Sequence, residues 1–185
     1  MGADTQIFIA VNRAFDGPAA TAFFSAVTWL GNGLVLAAII VPSWLILDRA
    51  RMKAHLMPMV VAVALGGAAA NLLKVAVDRP RPPAALSSQG VPVHAPGGVP
   101  RDRSFPSGHA QTAMGAAAYL SFVYPILALP CLALAALVAL SRVALGVHYP
   151  SDVAAGALLG AACSVAAFLL ARRRMAGRRF PWKSF

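Results

Sequence analysis

Apolar runs long enough to cross a lipid bilayer dominate this chain, and short polar islands separate them. A helix needs roughly 20 apolar residues to traverse the hydrocarbon core. Leu56 to Val77 meets that length, broken only by Asn71 and Lys74, and Val153 to Ala171 carries no charge at all. Ala22 to Leu47 is also long enough, although Gly31-Asn32-Gly33 and Pro42 blur where it starts. His109 to Val147 holds enough apolar residues for two crossings. Tyr124-Pro125 marks the turn between them, because proline disfavours helix in the residue before it. Gln6 to Phe15 carries Ile7, Phe8, Val11 and Phe15 at mixed helical spacing, which suits a short helix lying at the membrane interface. The pattern predicts an all-α protein: a polytopic membrane helical bundle of about five transmembrane helices plus that N-terminal helix, in a single domain.

Composition agrees with a bilayer as the solvent, since 59% of the 185 residues are hydrophobic and only 12% are charged. A net charge of +10 invites a nucleic-acid reading, but the basic residues sit in the gaps between spans rather than along one soluble face. Nucleic acid is therefore not an expected partner. Arg49, Arg51 and Lys53 fill the first gap, and Arg172, Arg173, Arg174, Arg178, Arg179 and Lys183 crowd the tail, residues 172–185. The tendency of basic loops to stay inside places both in the cytoplasm. Counting spans from there puts the Asp78 to Phe105 loop and the Leu145 to Ser151 turn on the outer face. Arg79, Arg81, Arg101 and Arg103 in that loop dilute the asymmetry unless they bind an anionic ligand. The start of the chain lacks the basic region, apolar run and small-residue cleavage site of a secretion signal.

Three polar islands converge on that outer side: Lys74 with Arg81-Pro82, Pro106-Ser107-Gly108-His109, and Ser141-Arg142 followed by His148 and Asp152. Lys74, Arg81 and Arg142 offer permanent positive charge. Ser107-Gly108 opens a helix, whose first N–H groups lack internal partners and face a phosphate readily. Taken singly, each island has an ordinary explanation. Lys74 reads equally as a lysine reaching for the interface along its stem, Ser107 as a plain helix cap, and a His and Asp four residues apart occur often by accident. A histidine one turn inside a membrane helix is harder to explain structurally, so His109 favours function. Pro150 suits the first turn of the last helix, which brings Asp152 within reach of His148 as an orienter. Pro82 and Pro83 are expected to keep the backbone extended at Arg81, leaving Arg79 as a rim or headgroup contact, and the proline-rich loop suits a lid. Cys131 and Cys163 read as small hydrophobes, His55 and His94 as solvated, and Tyr149, Trp29, Trp44 and Trp182 as interface anchors. Gly156 and Gly160 form a small-residue packing motif in the last span.

In these residues the chain resembles the type-2 phosphatidic acid phosphatase superfamily. The signature of that family is Lys, six residues, Arg-Pro; then Pro-Ser-Gly-His; then Ser-Arg, five residues, His, three residues, Asp, and every position of it is present between residues 74 and 152. The resemblance implies hydrolysis of a lipid phosphate or diphosphate without a metal or other cofactor, through a phosphohistidine. It makes His148 the nucleophile, Asp152 its orienter and His109 the acid for the leaving oxygen, with Lys74, Arg81, Ser107, Gly108 and Arg142 as the phosphate cradle. Small size and minimal loops look most like bacterial undecaprenyl-diphosphate phosphatases, in the inner membrane with the site outward. Phosphatidylglycerophosphate, phosphatidic acid and lipid A 1-phosphate would fit the same cradle. The reading from a different class is a non-enzymatic anionic-lipid binder or transporter. It accounts for the basic residues but not for His109, His148 and Asp152 together.

Overall fold

A computed structural model describes residues 1–98, 100 and 102–176. Arg101, Arg178, Arg179, Trp182 and Lys183 lie outside the described residues. Among the described residues eight α-helices follow one another: α1 (Ala3–Ala14), α2 (Pro18–Thr28), α3 (Gly33–Leu47), α4 (Arg49–Val77), α5 (Pro82–Ser87), α6 (Gly108–Val123), α7 (Ala128–Ala144) and α8 (Pro150–Ala176). Single 3₁₀ turns at Trp29–Gly31 and Pro125–Leu127 join α2 to α3 and α6 to α7, the second at the expected turn.

Among the described residues three stretches, Arg49–Ser87, Pro125–Ala144 and Pro150–Met175, are long and apolar enough to cross a membrane. The bent pair α2 and α3, meeting at 69°, makes a fourth if it counts as one span. The expectation of about five crossings is not confirmed. Proline and glycine explain part of the difference: Gly31-Asn32-Gly33 breaks the first apolar run, and Asn32 caps α3 by accepting from Leu34 N at 2.9 Å and Val35 N at 3.3 Å. The rest lies in α6, which at 16 residues is shorter than a full crossing.

Helix α6 is nonetheless the axis of the bundle, with Ala110, Ala113, Ala116, Ala117, Ala118 and Tyr119 buried. Small residues on its neighbours let them approach its backbone. A Cβ on Gly156 of α8 would stand 2.3 Å from Ser107 O, and one on Gly160 would stand 2.2 Å from Gln111 O. The small-residue motif is therefore a tight α6–α8 contact. Below it Ile40, Trp44, Met59, Tyr119, Val123 and Phe168 close an apolar cluster. The outside is apolar too: Leu34, Ile46, Leu72, Leu129 and Leu158 are 72–82% exposed, which water would penalise and lipid does not.

Several sequence expectations need correction here. Trp44 is buried against Tyr124 rather than anchored at a surface, although Trp29 is exposed. Helix α4 begins seven residues before Leu56, so His55 lies inside it, 3% exposed. Its Nδ1 meets Tyr119 Oη at 3.2 Å and its ring stacks on Phe168, so it is not solvated. His94 is also held: its Nε2 meets Thr21 Oγ1 at 2.9 Å, while Asn12 of α1 donates to its carbonyl and accepts from its N–H, both at 2.9 Å. Gly146, at φ 75°, makes that docking possible, since a Cβ there would stand 2.2 Å from His94 O. The outer loop is thus stitched down around residue 94, and α1 packs on the helix ends rather than standing apart. Arg81 itself is extended, at φ −70° and ψ 155°, as expected ahead of proline, while Pro82 and Pro83 start α5, where proline is tolerated in the first turn.

Candidate active site

Lys74 in the last turn of α4, His109 in the first of α6, Arg142 in the last of α7 and Asp152 in the first of α8 all sit at one end of the bundle. The basic residues Arg49, Arg51 and Lys53 begin α4, and Arg172, Arg173 and Arg174 lie near the end of α8, so both groups are at the opposite end. The topology alone therefore gathers the three polar islands.

Arg81 is the hub. It precedes α5, is 5% exposed, and its Nη1 donates to Val147 O at 2.7 Å and lies 3.1 Å from His148 Nε2. A guanidinium has no lone pair to accept with, so His148 Nε2 is the acceptor and a neutral ring carries its proton on Nδ1. That Nδ1 faces Asp152 Oδ2 at 3.6 Å, an ion-pair approach too long for a hydrogen bond. Asp152 is fully buried, and Oδ2 accepts instead from Ser104 Oγ and from Tyr149 N, the latter at 2.8 Å. Burial, then the nearby Arg81 and Arg142 charges, push the His148 imidazole down to about 4 against the opposing pull of Asp152, so it is neutral at physiological pH.

His109 packs so closely on Gly31 that a Cβ there would come within 2.7 Å of it, and it lies within electrostatic range of Arg142, His148, Arg81 and Lys74. Arg142 Nη1 donates to Thr28 Oγ1 at 2.6 Å. Ser107 corrects the sequence reading in one respect. Its N–H is already given to Asp152 O at 3.0 Å and so is not offered to a ligand. Its buried hydroxyl is the free group. Gly108 follows as the first helical residue, with open space where a side chain would be.

Among the described residues, three buried side-chain polar atoms have no hydrogen-bond partner: Ser107 Oγ, Arg142 Nε and His148 Nδ1. All three belong to the polar islands. Leaving such groups unpaired costs about 1–3 kcal/mol each, an expense found where a ligand completes the site.

Four residues outside the signature complete the surroundings. Asp102 bridges the cations, with Oδ1 on Arg81 Nη2 at 2.6 Å and Oδ2 on Lys74 Nζ. Its own carbonyl also accepts from Arg81 Nε at 3.0 Å, and the carbonyl of Arg103 accepts from Lys74 Nζ at 2.8 Å. Burial works to raise the Asp102 carboxyl, but Lys74 and Arg81 hold it below its ordinary value. Arg79, expected at the rim, donates to Asp152 Oδ1 at 2.7 Å; Ser104 and Thr28 make the contacts given above. Tyr149 is 4% exposed beneath the Arg79 guanidinium, not at an interface. An apolar groove of about 240 Å³ runs between α3, α4 and α6, lined by Leu36, Ile40, Met59, Val63, Thr112 and Ala116. Thr112 is one turn from His109 on α6.

Fold and side-chain placement together define a helical integral membrane protein with histidines and cations gathered at one end of its bundle. Residues 55–176 match the PAP2 superfamily model, and the chain belongs to that superfamily. A lipid A 1-phosphatase of Rhizobium johnstonii is 39% identical over 100 residues, 54% of this chain and 41% of that one. A decaprenylphosphoryl-5-phosphoribose phosphatase of Mycobacterium tuberculosis is 39% identical over 137 residues, 72% of this chain and 66% of that one. The chain thus spans less than half the length of the first relative. Among solved structures, Aquifex aeolicus LpxE aligns with a TM-score of 0.77 at 28% identity, covering 91% of this chain and 96% of that one. The PAP2-type phosphatidylglycerolphosphate phosphatase of Bacillus subtilis shares the fold at a TM-score of 0.68 and 21% identity, over 99% of this chain and 90% of that one.

Proposed function

We propose that this protein is a phosphatase for a membrane lipid phosphate, working through a phosphohistidine on His148. The observation that carries the reading is the Arg81–His148–Asp152 arrangement. It leaves a neutral imidazole with its lone pair on Nε2, beside cations and a helix N-terminus suited to a phosphoryl group.

An arriving phosphate displaces the Arg81 N–H from Nε2 and takes further bonds from Lys74, Arg142, Ser107 Oγ and the first N–H groups of α6. Nε2 then forms a bond to phosphorus as the bond from phosphorus to the lipid oxygen breaks, and His109, drawn into its protonated form by the negative charge of the bound phosphate, gives that oxygen its proton. Asp152 stabilises the positive charge that develops on His148. Water, deprotonated by His109, attacks the phosphohistidine and releases inorganic phosphate. The groove at Thr112 gives the hydrocarbon tail a seat next to His109. No metal or cofactor has a part in this scheme.

The substrate we favour is a long-chain lipid phosphate or diphosphate at the outer face of a bacterial inner membrane, with the basic end of the bundle and the tail cytoplasmic. Undecaprenyl diphosphate was the sequence-based choice. The names of the relatives give lipid A 1-phosphate and a polyprenyl phosphoribose phosphate equal standing. Phosphate release from these three lipids, phosphatidic acid and phosphatidylglycerophosphate, measured on purified protein with a chelator present, ranks them by kcat/KM. Turnover of at least one, lost in His148→Ala, is the expected result. Binding without turnover would leave a lipid binder or transporter, and loss of turnover with chelator would remove the metal-free route.

A further inference from the structure

We propose that Arg79 is a positioning residue for the nucleophile, acting on His148 through Asp152; the inference rests on His148 being the attacking group. Asp152 Oδ2 receives two short hydrogen bonds, from Ser104 Oγ and Tyr149 N, before His148 approaches at 3.6 Å. The other oxygen, Oδ1, belongs to Arg79 at 2.7 Å. A carboxylate so engaged has little freedom to rotate, and its charge is shared with a cation. Arg79 therefore does two separable things: it fixes the Asp152 rotamer, and it weakens the negative field felt by the imidazole.

Arg79 is itself fixed from three sides. Its Nη2 pairs with Asp4 of α1 at 2.6 Å, its Nη1 also meets Ser151 Oγ at 2.7 Å, and its guanidinium lies 3.9 Å over the Tyr149 ring. Asp4 in turn accepts from Ser151 N at 2.9 Å. Burial opposes the Asp4 charge, yet hydrogen bonds from Ser151 and then Arg79 hold its carboxyl below its ordinary range. A relay of Asp4, Arg79, Asp152 and His148 thus runs from the N-terminal helix to the site, crossing three segments of the chain.

The charged and titratable groups facing His148 are Arg81 from the α4–α5 region, His109 from α6, Arg142 from α7 and Asp152 from α8; beyond them, Asp102 pairs with Arg81 and Lys74 lies within range of His109. Removing Arg79 leaves Asp152 with its full charge, so the imidazole holds a proton to higher pH. A side chain that merely braced the fold would lower activity without moving that titration.

The test uses the purified full-length protein in detergent, with p-nitrophenyl phosphate and dioctanoyl phosphatidic acid as probes, and reads kcat, KM and the acid limb of kcat/KM. Arg79→Gln is expected to lower kcat roughly 10- to 100-fold and raise the acid limb by about one pH unit. Arg79→Lys keeps the charge but not the forked geometry; it should restore the limb while kcat stays several-fold low. An unmoved limb in Arg79→Gln overturns the inference, as does wild-type kcat in Arg79→Lys, which also serves if the glutamine variant does not fold. His148→Ala separates the two levels. If it still turns over, the nucleophile reading fails; if it is inactive while both Arg79 variants match wild type, only the present inference fails.

Discussion

Gly156→Ala tests whether the α6–α8 contact sets the geometry of the site. The added methyl would stand 2.3 Å from Ser107 O, 3.2 Å from Ser107 C and 3.3 Å from Gln111 N. These are backbone atoms of the first turn of α6, which cannot swing aside as a long side chain would. Restoring ordinary contact requires α8 to retreat by about 1 Å, and overpacking of this kind costs about 1–3 kcal/mol. The retreat also stretches the bond from Ser107 N to Asp152 O, now 3.0 Å, worth about another 1 kcal/mol. A displacement of that size between His109 and Asp152 lowers kcat by up to about 10²-fold. Thermal unfolding in detergent, followed by tryptophan fluorescence, reads the first effect and phosphate release the second. Gly160→Ala, one turn deeper against Gln111 O, should match it in stability and fall less in kcat. Gly97→Ala, with nothing within 4 Å, is the neutral control. Wild-type melting and turnover in Gly156→Ala would refute the account.

Gly108→Ala adds a methyl in open space, so melting should not change, while KM for a lipid phosphate rises because that space is where phosphate meets the helix start; an unchanged KM would place the phosphate elsewhere. Asp102→Asn removes the anion that bridges Lys74 and Arg81, so inorganic phosphate should inhibit at several-fold lower concentration. Weaker inhibition would instead make Asp102 a strut for the two cations. Because burial holds His148 at about 4, the acid limb of kcat/KM in the wild-type protein should fall nearer pH 4 than 6.5. A limb at 6.5 would mean that the free enzyme's imidazole is solvated.

The signature residues were legible because each lies at a helix end, where hydrophobic periodicity stops and a polar residue stands out. Lys74, His109, Arg142 and Asp152 needed only the order of the apolar runs to be placed at one end. Tyr124-Pro125 and Gly156 with Gly160 were legible for a similar reason, since proline and glycine act through backbone rules. Asp102, Ser104 and Arg79 were not legible. They belong to an irregular loop without periodicity, and their partners are up to 75 residues away. His55 and Trp44 were misjudged because a polar or amphipathic side chain near a helix start can face inward, which only the packing of α6 and α8 decides. The count of about five spans is not confirmed chiefly because α6, at 16 residues, is shorter than a full crossing.

The bridge that Asp102 makes between Lys74 and Arg81 means that the resting site already holds an anion. On the reaction proposed above, substrate entry is an exchange of one negative group for another rather than the filling of a bare positive hole. Return of the Asp102 carboxylate would then help inorganic phosphate to depart. A phosphatase built this way would trade some affinity for turnover, which suits a substrate concentrated in the plane of a membrane.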